Sequence, residues 1–218
     1  MNKDMKNIEA VVFDMDGVLL DTETICDRTW AMAAKTFGLD SQVDFVNECR
    51  GTNLHDTSII FKKHLGQDFD VDGFMKLTSE YFHEIEFSEG IPLMPYAKEI
   101  LEYLKPKYRI VLASSTRGES VKRQLTNAGL IDFFETRTTG DMVTHSKPDP
   151  EIYRLACQSI GMKPENCVAV EDSPNGIKSA AAAGLNVIMI PDKIKSTEKI
   201  KALCSNIFDS LQGLKTVL

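Results

Sequence analysis

The run Ala10-Val11-Val12-Phe13-Asp14-Met15-Asp16-Gly17 constrains this chain more than any other, because an apolar stretch stops abruptly at two aspartates and a glycine. Its Val-rich part predicts a strand from Ile8 to Phe13, buried on both faces. The strand then delivers two carboxylates to a tight turn, where they repel each other unless a cation or a proton-transfer role offsets the repulsion. Open α/β sheets bind ligands just outside the carboxyl ends of their strands. Alone, Asp-x-Asp-Gly also reads as a solvated turn; three later segments change the balance.

The pattern beyond this strand is helical for a long stretch. Apolar residues recur at helical spacing from Thr22 to Gly38 (Cys26, Trp30, Ala33, Ala34, Phe37), and Gly38 suits a C-terminal cap. Ile59, Ile60 and Leu65 mark another helix, and Phe74, Leu77, Tyr81 and Phe82 a further one. No strand is predicted between residues 20 and 88. Strands and helices alternate afterwards. Pro95 is read as opening a helix, and Arg109 to Ala113 reads as a strand. Gly118 to Ala128 is helical, and Asp149-Pro150 starts a helix closed by Gly161. Cys167 to Val170 is a strand, Ser173-Pro174 begins a helix ending at Gly184, and Asn186 to Ile190 is the next strand. From about Ser196, short peripheral helices flank Ile207. This alternation predicts an α/β fold, a Rossmann-like parallel sheet core, with an inserted helical subdomain. The expected division is residues 1–19 and 89–218 for the core and 20–88 for the helical insert.

Composition removes several classes of partner. The chain has 218 residues, a formal net charge of −7 and no strongly basic stretch, which argues against nucleic acid and anionic membrane surfaces. The five cysteines include no Cys-x-x-Cys pair, and the four histidines have no local metal-ligand spacing. Residues 1–6 lack the apolar core of a signal peptide, and no run is long enough to span a bilayer. These features predict a cytoplasmic protein with reduced thiols, and a monomer.

Further polar clusters follow the predicted sheet segments. Ser114, Ser115 and Thr116 end one strand, Ser146-Lys147-Pro148-Asp149-Pro150 places a lysine before a helix, and Glu171-Asp172-Ser173 ends another strand. All should converge at one sheet edge. The acids suit a hard divalent cation with oxygen ligands, of which magnesium is the expected one. The lysine, hydroxyls and helix-start amides suit a phosphoryl group. Metal and phosphoryl sites beside a carboxylate imply phosphoryl transfer on a small phosphorylated metabolite.

Asp-x-Asp-Gly, strand-Ser, Lys-Pro and Glu-Asp, in that order, resemble the four motifs of the haloacid dehalogenase-like superfamily. The strings Phe13-Asp-Met-Asp-Gly-Val18, Ser146-Lys-Pro-Asp-Pro150 and Val170-Glu-Asp-Ser-Pro-Asn-Gly176 are similar to its branch of β-phosphoglucomutases and small sugar-phosphate phosphatases. The resemblance covers nearly the whole chain and makes the helical insert a cap. It implies that Asp14 is the nucleophile and that Asp16 is the acid–base group. Ser114 and Lys147 would grip the phosphoryl oxygens, helped by the amides of Met15 and Asp16. The metal set it implies is Asp14, the main-chain carbonyl of Asp16, and Asp172, with Glu171 binding the metal or sitting just behind it. Ser115, Thr116 and Arg117, with Arg50 and Gly51 in the cap, are the implied substrate contacts.

The match departs from the mutases at two places. A cap histidine of those enzymes aligns with Cys26, and a cap arginine aligns with Leu54, although Arg50 is close in sequence. Plain hydrolysis of a sugar or polyol phosphate is the simpler expectation, with a β-phosphoglucomutase or related phosphohexomutase as the alternative. A receiver-like module phosphorylated on aspartate is the rival from outside enzymology; it lacks a helical cap and an acid–base residue at the Asp16 position.

Overall fold

The computed structural model describes residues 5, 7–39, 44–49, 54–194 and 196–218. These residues form two compact units, one built from Met1–Asp21 with Pro92–Leu218 and the other from Thr22–Ile91.

The first unit is organised by a parallel six-stranded sheet. Its strands are β1 (Ala10–Phe13), β2 (Arg109–Ser114), β3 (Thr136–Thr139), β4 (Cys167–Glu171), β5 (Asn186–Met189) and β6 (Asn206–Ile207). The spatial order is β3-β2-β1-β4-β5-β6, so the chain winds one way from β1 and then the other. Such a switch point opens a crevice at the carboxyl ends of the strands, and β1 lies beside it, between β2 and β4. The order follows from burial. All residues of β1 and β4 are buried, as central strands covered on both faces require.

Helices α6 (Glu151–Ser159) and α7 (Pro174–Ala183) cover one sheet face, packing Ile152, Tyr153, Ala156, Ile177 and Ala180 on Ala10, Val12, Val111, Ala113 and Ala169. The residues of opposite parity, Val11, Phe13, Ile110, Leu112, Val168 and Val170, are buried as well. Among the described residues, the other α-helices of this unit are α4 (Ala97–Leu104), α5 (Gly118–Asn127) and α8 (Glu198–Lys201). Ser173 caps α7 by accepting from the Gly176 N–H at 3.1 Å, Pro174 sits in its first turn, and Gly184 ends it at φ +99°.

The second unit holds α1 (Thr22–Thr36), α2 (Leu54–Leu65) and α3 (Val71–Ser88). Its core is aromatic. Trp30, Phe61 and Phe74 meet with centroids 4.9–5.8 Å apart, and Phe45 packs edge-on to Phe61 at 5.1 Å. Each such pair adds about 0.5–1.5 kcal/mol beyond area burial. Asp70 caps α3 through the Gly73 N–H at 2.9 Å.

Several sequence expectations are corrected. Two strands, β3 and β6, join those foreseen; β3 is Thr-Arg-Thr-Thr, which has no apolar signature. The helix expected at Pro95 starts at Ala97, because Tyr96 takes a left-handed conformation at φ +67°. The helix expected from Asp149-Pro150 starts at Glu151, with Asp149 accepting from the Glu151 N–H at 2.9 Å. Ile59, expected on a packed face, is 55% exposed, and Phe61 is buried instead. The two compact units divide after Asp21 and after Ile91. A Leu20–Leu93 bridge, with hydrogen bonds from Met94 N to Leu19 O and from Asp21 N to Pro92 O, ties both crossing segments into the sheet unit.

Candidate active site

The carboxyl ends of β1, β2 and β4, with the segment before α6, bring the polar clusters together within the sheet unit. Lys147 is the centre. Its side chain is 7% exposed, and its Nζ lies 2.9 Å from Asp14 Oδ1 and 2.7 Å from Glu171 Oε1. It also donates to the Ala113 carbonyl at 3.1 Å, so all three ammonium protons are used. Glu171 is fully buried and satisfied on both oxygens. Tyr153 Oη donates to Oε1 at 2.7 Å, while the Ser173 N–H and hydroxyl reach Oε2 at 3.3 and 3.2 Å.

Two glycines allow this packing. A Cβ on Gly17, which sits at φ +71°, would come within 2.5 Å of Asp172 Oδ2, and one on Gly176 would overlap the Glu171 carboxylate.

Asp16 is held separately from this cluster. Thr116 Oγ1 donates to Asp16 Oδ2 at 2.8 Å, and Ser114 Oγ approaches the same oxygen at 3.4 Å. Thr116, expected to contact substrate, is therefore engaged with Asp16. Ser115 and Arg117 stand exposed at the start of α5, Arg117 as its N-cap residue, and Met15 is fully buried. Arg50 and Gly51 lie outside the described residues.

The electrostatics follow from the charge count. Asp14 and Glu171 share the Lys147 ammonium, and the carboxylates of Asp16 and Asp172 add further negative charge close to Asp14. Burial, with added repulsion from Glu171 and Asp16, pushes the Asp14 carboxyl up to about 7 against the pull of Lys147. Burial alone would lower Lys147, but Asp14 and Glu171 outweigh it and raise its pKa above the ordinary lysine value. Burial and the negative charge of Glu171 and Asp14 keep the Tyr153 phenol protonated.

The excess of negative charge is what a divalent cation would neutralise. Asp14, Glu171 and Asp172 each offer an oxygen within 4.8 Å of the others, an all-oxygen set that fits a hard cation. A second group, His145, Asp149 and Glu151, also meets that spacing. Its carboxylates are occupied by the backbone at the start of α6: Glu151 accepts from the Thr144 and His145 N–H groups and Asp149 from that of Glu151.

Sequence reasoning missed Tyr153. Its place on an amphipathic helix marks it as core, and only the need of a buried phenol for a partner signals more. It also missed Asp141, whose Oδ1 accepts from the Gly118 N–H at 2.8 Å and from Thr139 Oγ1 at 2.7 Å, caps α5 and steadies the loop bearing Thr116.

An acid-rich cluster around a buried lysine thus sits at the switch point of a Rossmann-like core. A family model of haloacid dehalogenase-like hydrolases matches residues 8–184, and the chain belongs to that family. It is an enzyme of the phosphatase type within it. A phosphorylated carbohydrates phosphatase of Thermotoga maritima is 33% identical over 182 residues, covering 83% of this chain and 84% of that protein. Hexitol phosphatase B of Escherichia coli K12 is 28% identical over 190 residues, covering 85% of each chain. Among solved structures, a Thermotoga maritima protein assigned to the β-phosphoglucomutases superposes with a TM-score of 0.79 at 30% identity, covering 97% of this chain and 100% of that one. The family places the chain among enzymes rather than receiver-like modules. Among the described residues, no helix is long and apolar enough to cross a membrane.

Proposed function

We propose that this enzyme hydrolyses a small phosphomonoester, a sugar or polyol phosphate, through a phosphoryl group carried transiently on Asp14, with magnesium as its cofactor. The observation that carries the reading is the buried Lys147 bridging Asp14 and Glu171 while Asp16 is held apart by hydroxyls. The names of the carbohydrate and hexitol phosphatases support the substrate class.

In this reading Asp14 attacks phosphorus. A carboxylate needs no base to be nucleophilic, and its acyl phosphate is reactive enough to turn over. Asp16 protonates the leaving alcohol and then takes a proton from the attacking water. Lys147 opposes the charge on the transferred oxygens while keeping its place against Glu171, and Ser114 with the amides of Met15 and Asp16 adds donors. Asp14, Asp172 and the Asp16 carbonyl would hold the magnesium, with Glu171 immediately behind. Bound there, the ion supplies charge neutralisation for the nucleophile and the phosphoryl oxygens. Ser115 and Arg117 are proposed to meet the rest of the substrate.

Phosphorus NMR of the purified protein with magnesium and a panel of sugar and polyol monophosphates tests this reading. Each member would be run with and without a trace of glucose 1,6-bisphosphate. Inorganic phosphate released without isomerised sugar is expected. Glucose 6-phosphate formed from β-glucose 1-phosphate only with the bisphosphate would replace the phosphatase with a mutase, and would mean that Cys26 and Leu54 are tolerated in one.

A further inference from the structure

We infer that Thr116 is a positioning residue for the acid–base group Asp16, rather than a contact for the distal part of the substrate. The inference rests on the hydrolytic reading above and adds to it the device that aims the proton.

Thr116 Oγ1 to Asp16 Oδ2, at 2.8 Å, is the shorter of the two hydroxyl contacts to that carboxylate; Ser114 Oγ, at 3.4 Å, is near the limit of a hydrogen bond. Ser114 has a second duty, since its Oγ accepts the Thr116 N–H at 3.1 Å. The loop that carries Thr116 is fastened at several points. Gly140 N donates to the Thr116 carbonyl at 3.0 Å, and Asp141 Oδ1 accepts from the Gly118 N–H at 2.8 Å and from Thr139 Oγ1 at 2.7 Å. A Cβ on Gly140 would collide with the Ser115 carbonyl, so β3 and the β2–α5 loop meet backbone to backbone. A hydroxyl on so fixed a loop can hold a carboxylate in one rotamer.

The direction of the bond carries chemical content. A donor on Oδ2 occupies that oxygen as an acceptor, so the transferable proton of Asp16 resides on Oδ1. In the first half-reaction the Oδ1 proton passes to the leaving alkoxide as its P–O bond breaks and the Asp14–phosphorus bond forms. In the second, water gives a proton back to Oδ1 as its oxygen attacks phosphorus and Asp14 leaves. Both halves need the same oxygen presented, and Thr116 presents it without touching a reacting atom.

The test compares wild type with Thr116→Val and Thr116→Ser on two probes, sorbitol 6-phosphate and p-nitrophenyl phosphate. The first needs a proton on its departing alkoxide; nitrophenolate leaves without one. Misplacing a proton-transfer group costs on the order of tenfold to a hundredfold. For Thr116→Val, kcat on sorbitol 6-phosphate should fall by about that factor while KM stays within about twofold. On p-nitrophenyl phosphate the first-turnover release of nitrophenolate should keep its rate, followed by a slowed steady state, because the water step still requires Asp16. Thr116→Ser, which keeps the hydroxyl, should recover most of the loss. A rise in KM with kcat intact would overturn the inference in favour of a substrate contact, as would a serine variant no better than the valine one. Wild-type protein that turns over neither ester would instead refute the hydrolytic reading, and the inference with it.

Discussion

Magnesium affinity should be coupled to one proton on Asp14. Burial holds this carboxyl at about 7, far above its ordinary 3.8, so a cation binding there competes with a proton at mildly acidic pH. At pH 6 about a tenth of the metal-free molecules carry an ionised Asp14, and at pH 8 about nine-tenths do. Apparent magnesium affinity should therefore rise about tenfold between those values, about 1.4 kcal/mol, and level off above. Stability changes in the opposite sense. A carboxyl whose folded-state pKa is raised binds its proton more tightly in the native state. Its contribution is full below the unfolded value and is lost as pH rises from about 4 through 7. Saturating magnesium should remove that loss. Calorimetric titration at pH 6, 7 and 8, in buffers of different ionisation enthalpy, measures both affinity and proton release. About one proton should be released at pH 6 and almost none at pH 8. Equal affinity at pH 6 and 8, with no proton release, would refute the reasoning.

Other variants probe the supports of the site. Tyr153→Phe removes a buried donor from Glu171 and should cost about 1–3 kcal/mol in urea unfolding; a variant as stable as wild type would mean that Glu171 is satisfied without it. Gly17→Ala places a Cβ against Asp172 at a left-handed position. It should cost about 1–2 kcal/mol in stability and weaken magnesium binding at least about tenfold by calorimetry. Asp141→Ala removes the acceptor that caps α5 and should lower stability by about 1 kcal/mol, read from the urea midpoint.

The parts legible in the sequence were those where chemistry follows an apolar strand. Asp14, Ser114 and Glu171 stand at or just past the ends of Val- and Ala-rich runs, and a parallel sheet brings such ends to one edge. Lys147 was legible because it immediately precedes a Pro-marked helix start. β3 was not, since an edge strand of Thr and Arg has no apolar alternation to reveal it. Ile59, Ile60 and Phe61 are consecutive and apolar, so spacing does not say which of them faces inward; the aromatic packing of Phe61 decides. The contact of Thr116 with Asp16 links residues 100 apart, and nothing local announces it. The unit boundary depends likewise on the distant pairing of Leu20 with Leu93.

The phosphoryl group carried by Asp14 is the central claim and can be weighed directly. The protein would be mixed with magnesium and p-nitrophenyl phosphate, quenched in acid within the first turnovers, digested and analysed by mass spectrometry. The account predicts the added mass of one phosphoryl group on the peptide containing Asp14, lost on longer incubation after the ester is consumed and absent in Asp14→Asn. Turnover by Asp14→Asn at the wild-type rate, or a label on another residue with Asp14 unmodified, would contradict it.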